Sequence, residues 1–512
     1  MFIAKIQNGG TQTTAEFSKE TLLSDFTEPF SVPMPCGGNH TCGKCKVRAE
    51  GALSPLTEAE KRRLTKEEIA SGIRMACAAS AVGDCTITIL QSKQDDRSVM
   101  LDGTKKTVAQ EGIGIAVDIG TTTIAVYTYQ NGERVRAIGE HNKQGAFGAD
   151  VITRIGVNEP QTLHQTIVSQ IDTLFHRAID QIAQPSEVKR IVVTGNTTML
   201  HFFYGYDPAP LAVSPFRTVS LFDEEQPAAK WFPAYENAVL YLPPCISAYV
   251  GADMVCAMEA ADFLNGKKTA LLADIGTNGE MALVHDGQLV TCSTAAGPAL
   301  EGACIRQGMP AGAGAIDNVF LNADKTIGYH VIGEEAPQGL CGSGLIRLMA
   351  LLVELEIVDE MGAINEECGA YESLIDEDDE GLLVRIGDSG IILTQRDIRQ
   401  IQLAKASICA GILTMLHHCG VSADEAETFY ICGGFGSYID PKAAATIGLI
   451  PASLADCVKV LGNAAGTGAA DLLSERGRES ARSIAKQAHI IELSESPFFM
   501  DQYVEQMSFY TE

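Results

Sequence analysis

With 512 residues, 46% of them hydrophobic and 20% charged, the chain has ordinary globular composition and room for two or three domains with sizeable cores. A formal net charge of −27 argues against nucleic acid as a partner, because such a surface repels phosphate. The charge is uneven: residues 1–93 carry 11 Lys and Arg against 10 Asp and Glu, and the remainder 27 against 55, so the first segment reads as a separate module.

No run of 18 apolar residues occurs. The longest candidate, 345–358, is interrupted by Arg347, Glu354 and Glu356, so no membrane span is expected. Met1–Ile6 lacks the pattern of a secretory signal. The fifteen cysteines are therefore expected to be thiols of a cytoplasmic protein rather than disulfides.

In chain order, 2–6 and 11–17 read as a hairpin about Asn8-Gly9-Gly10, followed by a short helix capped by Ser18 or Thr21. Next comes a glycine-rich loop, Cys36-Gly37-Gly38-Asn39-His40-Thr41-Cys42-Gly43-Lys44-Cys45, with Cys77 further on. The spacing Cys-x5-Cys-x2-Cys plus a distant fourth cysteine suits a [2Fe–2S] cluster, with Cys36, Cys42, Cys45 and Cys77 as metal ligands. Cys85 competes for the fourth place but starts an alternating strand, whereas Cys77 lies in a loop-like context. Zinc is the other metal for four thiolates, yet zinc sites usually pair Cys-x2-Cys knuckles, and only one is present. Strands are expected at 46–49 and 86–90, with a polar helix over 57–68 whose Thr57 and Glu60 fit a capping box. This segment resembles a β-grasp ferredoxin, its spacing closer to the adrenodoxin form than to the plant form. The domain is assigned to 1–93 and a linker to 94–112.

The second module, 113–512, opens on a strand, turn and strand at 113–127, and the pattern recurs at 270–283. Asp-Ile-Gly-Thr stands at 118–121 and again at 274–277, an internal repeat implying two similar halves, about 113–269 and 270–490, with a tail at 491–512. A turn glycine lets backbone N–H groups approach phosphate, and threonine hydroxyls add donors. The candidate phosphate contacts are Gly120, Thr121, Thr122, Gly276, Thr277 and Asn278. Asp118 and Asp274, at strand ends, are the candidate catalytic residues that would organise Mg²⁺ and water. Gly342-Ser343, opening an apolar helix over 345–358, offers a further anion site, and Gly433, Gly434 and Gly436 follow a strand where backbone can lie flat against a base or ribose. Glu301 reads equally well as a site residue and as a structural carboxylate. Together these motifs resemble the actin, sugar-kinase and Hsp70 type of ATPase, a duplicated ribonuclease-H-like fold. The fold class is thus α+β with α/β: β-grasp domain, then duplicated ATPase domain. No Walker lysine motif is present.

A ferredoxin joined to such an ATPase resembles the reductive activators of corrinoid proteins. The likeness continues through 148–155, 194–199, 242–244, 296–302, 394–399 and 498–503, nearly the whole chain. It implies that ATP drives delivery of an electron from the cluster to an inactive cob(II) cofactor, regenerating cob(I). The cofactor belongs to a partner, a corrinoid protein or a corrinoid-dependent methyltransferase. None of the ten histidines follows an Asp two positions earlier, so the Asp-x-His-x-x-Gly signature of a corrinoid carrier is missing from this chain. An upstream electron donor is implied, with a second copy of the chain as a further candidate partner. Three other readings share the motifs: a small-molecule kinase, an activator of another low-potential enzyme, and a redox-gated ATP-binding docking protein.

Overall fold

The computed structural model describes all residues except 9–10, 28–31, 33, 35–37, 39, 41–42, 91–106, 267, 434–437 and 510–512. Cys36, Cys42, Gly434, Gly436 and most of the expected linker lie outside the described residues.

The N-terminal sheet contains β1 (Phe2–Asn8), β2 (Thr11–Phe17), β3 (Thr21–Leu22), β4 (Lys46–Leu53), β5 (Ile73–Met75) and β6 (Ser80–Ile89). Its order is β2-β1-β6-β4-β5, with β3 on β6. The hairpin strand β1 runs parallel to the closing strand β6, the β-grasp pattern. Alternation sends Ala4 and Ile6 inward against Val47, Ile73 and Ile87. Two details differ from expectation. Thr21 lies in a strand, and the helix begins at Leu23. The polar helix is two helices, Glu58–Arg63 and Lys66–Ala70, because Leu64 turns extended to bury its side chain and Thr65 starts a new cap, accepting from the Glu68 amide at 3.2 Å.

The second sheet holds β7 (Ile113–Ile119), β8 (Thr123–Gln130), β9 (Glu133–His141), β10 (Val188–Gly195), β11 (Glu224–Pro227) and β12 (Val239–Leu242). The chain repeats the plan with β13 (Thr269–Ile275), β14 (Gly279–His285) and β15 (Gln288–Thr294). Two three-stranded sheets are then inserted, β16 (Ala315–Leu321) with β17 (Ile327–Val331) and β18 (Gly339–Leu340), and β19 (Ile375–Asp378) with β20 (Gly381–Arg385) and β21 (Ile392–Thr394). The repeat resumes with β22 (Thr428–Cys432), β23 (Val458–Val460) and β24 (Ala488–Ile490).

The two large sheets share one five-strand order, β9-β8-β7-β10-β12 and β15-β14-β13-β22-β23, each an antiparallel meander followed by two parallel strands. They differ in the added edge strand, β11 beside β12 in one and β24 beside β15 in the other. This is the ribonuclease-H-like sheet, duplicated. The first strands, β7 and β13, are apolar on both faces because helices cover both, as parallel neighbours require. One apolar cluster joins the halves, drawing Ala116 and Tyr127 from the first sheet and Leu272 and Tyr430 from the second. The apolar helix runs Gly342–Glu354, ending earlier than its hydrophobicity suggests because Glu356 adopts a left-handed φ of 57°.

Candidate functional site

Cys45 immediately precedes β4, and Cys77 sits in the turn after β5. Their Sγ atoms are 3.2 Å apart, unbridged, with the residues 1% and 3% exposed. His40 Nε2 lies 2.8 Å from the Cys77 carbonyl oxygen. Two buried, facing thiols beside a glycine-rich loop are a donor pair suited to thiolate-bound iron. Cys85 is elsewhere: it lies mid-strand in β6, opposite Ala4 and Gly51, in the apolar core. Of the other cysteines, Cys304 is exposed rather than buried.

Between the two lobes lies a cleft of about 1340 Å³, open mouth included. Asp118, Gly120, Thr121, Thr122, Asp274, Gly276, Thr277, Asn278, Gly342, Ser343 and Gly433 all line it. Asp118 and Asp274 hold matching places at the ends of β7 and β13. Gly433 has φ +93°, and a Cβ there would stand 2.3 Å from Asp274 Oδ1, so only glycine leaves that carboxylate in place.

The cleft is crowded with acid. Burial pushes the Asp118 carboxyl up to about 7, against the hydrogen bond from Asn463 and with added repulsion from Asp274. Burial and the neighbouring Glu301 push Asp274 to about 6. Asp253, at the start of the helix Ala252–Ala260, and Glu280 on β14 also line the cleft; burial raises both, with added repulsion from Asp274 and Asp118 on Asp253 and from Asp253 and Asp274 on Glu280. Four carboxylates at close quarters add like-charge repulsion to the cost of burial, a cost that a cation would offset.

Glu301 touches both halves: Thr122 Oγ1 donates to Oε1 at 3.5 Å and Thr277 Oγ1 donates to Oε2. Burial raises its pKa despite those bonds and the nearby cation Arg154. Arg154, 1% exposed, braces the turn after β7 by donating to the Thr121 carbonyl at 2.6 Å and the Gly148 carbonyl at 2.8 Å. Asn196 Nδ2 donates to Thr121 Oγ1 at 3.1 Å while its Oδ1 caps the helix Thr197–Tyr204. Asn463 does the same for the helix Ala464–Asp471 and donates to Asp118 Oδ2 at 2.9 Å.

Sequence reasoning missed Asp253, Glu280 and Asn463. Glu280 pairs with Asp274 across the β13–β14 hairpin, whereas Asp118 faces Ala125 in the first repeat, so comparing the two hairpins would have exposed it. Asn463 precedes a helix of small residues, a legible N-cap. Asp253 carries no local signal, since only the tertiary fold brings its helix to the cleft.

Fold and site together define a ferredoxin-type domain fused to a duplicated ATPase fold of the actin, sugar-kinase and Hsp70 kind. Residues 6–82 match the 2Fe-2S iron-sulfur cluster binding domain, 113–265 the RACo middle region, and 268–512 the C-terminal domain of RACo, the ASKHA domain. The corrinoid activation enzyme RamQ of Eubacterium limosum is 34% identical over 418 residues, 76% of this chain and 69% of that protein. The [Co(II) methylated amine-specific corrinoid protein] reductase of Methanosarcina barkeri is 26% identical over 438 residues, 78% of this chain and 77% of its own. A solved structure named reductive activator for corrinoid, iron-sulfur protein superposes with a TM-score of 0.70 at 28% identity, covering 99% of this chain and 98% of that one. The chain belongs to the family of reductive activators of corrinoid proteins. Among the described residues, no helix is long and apolar enough to cross a membrane.

Proposed function

We propose that this chain is a cytoplasmic, ATP-hydrolysing reductive activator, which passes an electron from a [2Fe–2S] cluster to the cob(II) form of a partner corrinoid protein and regenerates cob(I). The observation that carries the reading is the union in one chain of the Cys45–Cys77 thiol pair with a two-lobed acidic cleft whose halves meet at Glu301. Cys36, Cys42, Cys45 and Cys77 hold the cluster. Asp118 and Asp274 orient Mg²⁺ and the attacking water, and Thr121, Thr122, Thr277 and Asn278 hold phosphate oxygens. The helix opening at Gly342-Ser343 directs its free amides at the same charge. Gly433, Gly434 and Gly436 face adenosine.

The need for ATP follows from energetics. Moving one electron uphill by 100 mV costs about 2.3 kcal/mol, and a cysteine-ligated cluster of plant type sits near about −400 mV. A more negative cobalt couple is reduced fully only with coupled free energy, and ATP supplies it when bound across the two lobes.

The test is anaerobic. The purified protein, a chemical reductant standing in for the upstream donor, and a candidate corrinoid protein are mixed while the cobalt spectrum is recorded. Cob(I) is expected to accumulate with Mg²⁺–ATP and to fall back to the uncoupled level with Asp118→Ala. Equal accumulation with and without ATP would overturn the reading.

A further inference from the structure

Lys44, the residue before Cys45, does not end in solvent. Its Nζ donates to the Gly308 carbonyl at 2.8 Å and to that of Arg306 at 3.5 Å, in a turn of the second lobe. Beside it, Arg63 of the ferredoxin domain lies 3.6 Å from Glu380, which with Asp378 also holds Arg306, at 4.0 and 2.5 Å. A near-neutral domain thus meets a strongly acidic lobe through two cations, Lys44 on the carbonyls of the 306–308 turn and Arg63 on the acidic β19–β20 hairpin.

The turn that receives Lys44 belongs to the cleft at both ends. Glu301, at its start, holds Thr122 and Thr277, and Met309 to Ala311, at its close, line the cavity. Its ends are clasped together: a Cβ on Gly302 would stand 2.6 Å from the Met309 amide, and one on Gly308 would stand 2.3 Å from the Gly302 carbonyl. Gln307 and Met309 also pair with Leu340, two residues before the helix at Gly342. Backbone contacts thus tie Glu301, the Gly308 turn and that helix start together.

Resting on the proposed ATP-dependent activity, we infer that Lys44 and Gly308 form an autoinhibitory latch, which docks the ferredoxin domain on the second lobe and which nucleotide bound in the cleft releases. Phosphate competes for the Thr122 and Thr277 hydroxyls, Glu301 loses both partners, the turn shifts, and Lys44 lets go. The edge beside Cys45 is then free to meet an acceptor.

Near-infrared dyes attached through unnatural amino acids at exposed Lys19 and Asp324 report the separation in the cluster-loaded protein. High energy transfer is expected without nucleotide, and a drop with Mg²⁺ and a non-hydrolysable ATP analogue. Lys44→Ala shifts the docked-to-released ratio about tenfold, equivalent to about 1.4 kcal/mol, and abolishes most of the nucleotide response; Lys44→Arg restores both. Should Lys44→Ala lose the cluster, Glu380→Arg on the other lobe carries the test: it lowers transfer without nucleotide, and adding Arg63→Glu restores high transfer. Transfer and nucleotide response in Lys44→Ala equal to those of the parent would overturn the latch. No corrinoid protein enters this measurement, so a failed cobalt reduction and a failed latch are separate results.

Discussion

Asp118 and Asp274 lie where the ends of two first strands face each other, and burial holds both carboxyls well above the ordinary range, at about 7 and about 6. A cation binds the ionised forms, so affinity for Mg²⁺–nucleotide is expected to rise from pH 5 to about 8 and level off above, read by titration calorimetry at fixed ionic strength. A flat profile would show the pair ionised throughout. Stability of the metal-free protein runs the other way. Each folded pKa exceeds its unfolded value near 3.8, so the contribution is fully present below about pH 4 and is lost as pH rises through 6 to 7. Asp118→Asn removes that penalty: the variant is expected to be more stable than the parent by about 1–2 kcal/mol at pH 8, allowing for solvent in the open cleft, and the gain is expected to shrink steadily towards zero as pH falls to about 4. Both aspartates were legible in the sequence because the repeated Asp-Ile-Gly-Thr carries its own context. Asp253 was not, because its role depends on which strand ends its helix approaches, and no spacing encodes that.

At the scale of elements, the thiol turn depends on a helix that does not touch it directly. Glu60, fully buried in Glu58–Arg63, accepts from the Thr57 amide at 2.9 Å, from Arg74 Nε and Nη2 at 2.7 and 3.0 Å, and from the Met75 amide at 3.2 Å. Burial alone would raise its pKa, but the bonds from Arg74 and the two amides outweigh it and the pKa is lowered. Arg74 and Met75 lead directly into Cys77, so this one carboxylate ties helix, strand β5 and thiol turn together. Arg74→Met strands the charge in the core and is expected to cost about 3–5 kcal/mol, seen as earlier thermal bleaching of the cluster absorbance, with Glu60→Gln added to recover part of it. Unchanged bleaching would show the cluster turn indifferent to the helix. The sequence announced the Thr57–Glu60 capping box, since a cap is local. It did not announce the break at Leu64, where tertiary burial of one leucine overrides helical propensity. The duplicated sheet was visible for the same reason as the cap: buried first strands read as apolar runs, whereas edge strands β11 and β24, with sparse pattern, did not.

For the whole molecule, the arrangement of cores decides what ligands stabilise. The ferredoxin domain has its own apolar cluster, while one cluster spans both lobes of the ASKHA-type fold. Two probes separate them without labelling. Cluster absorbance follows the first domain, and Trp231, the chain's one tryptophan, buried and stacked on Phe203, follows the lobes. A nucleotide held between the lobes stabilises only what must unfold to release it. At about one hundred times its dissociation constant, an ATP analogue with Mg²⁺ is therefore expected to add about 2.7 kcal/mol to the unfolding followed by Trp231. The transition followed by cluster absorbance should not rise with it, and should fall slightly, because release at Lys44 and Arg63 removes contacts that the docked domain enjoys. Parallel upward shifts of both transitions would mean that nucleotide tightens the docking, reversing the direction of the latch while leaving the cleft assignment intact.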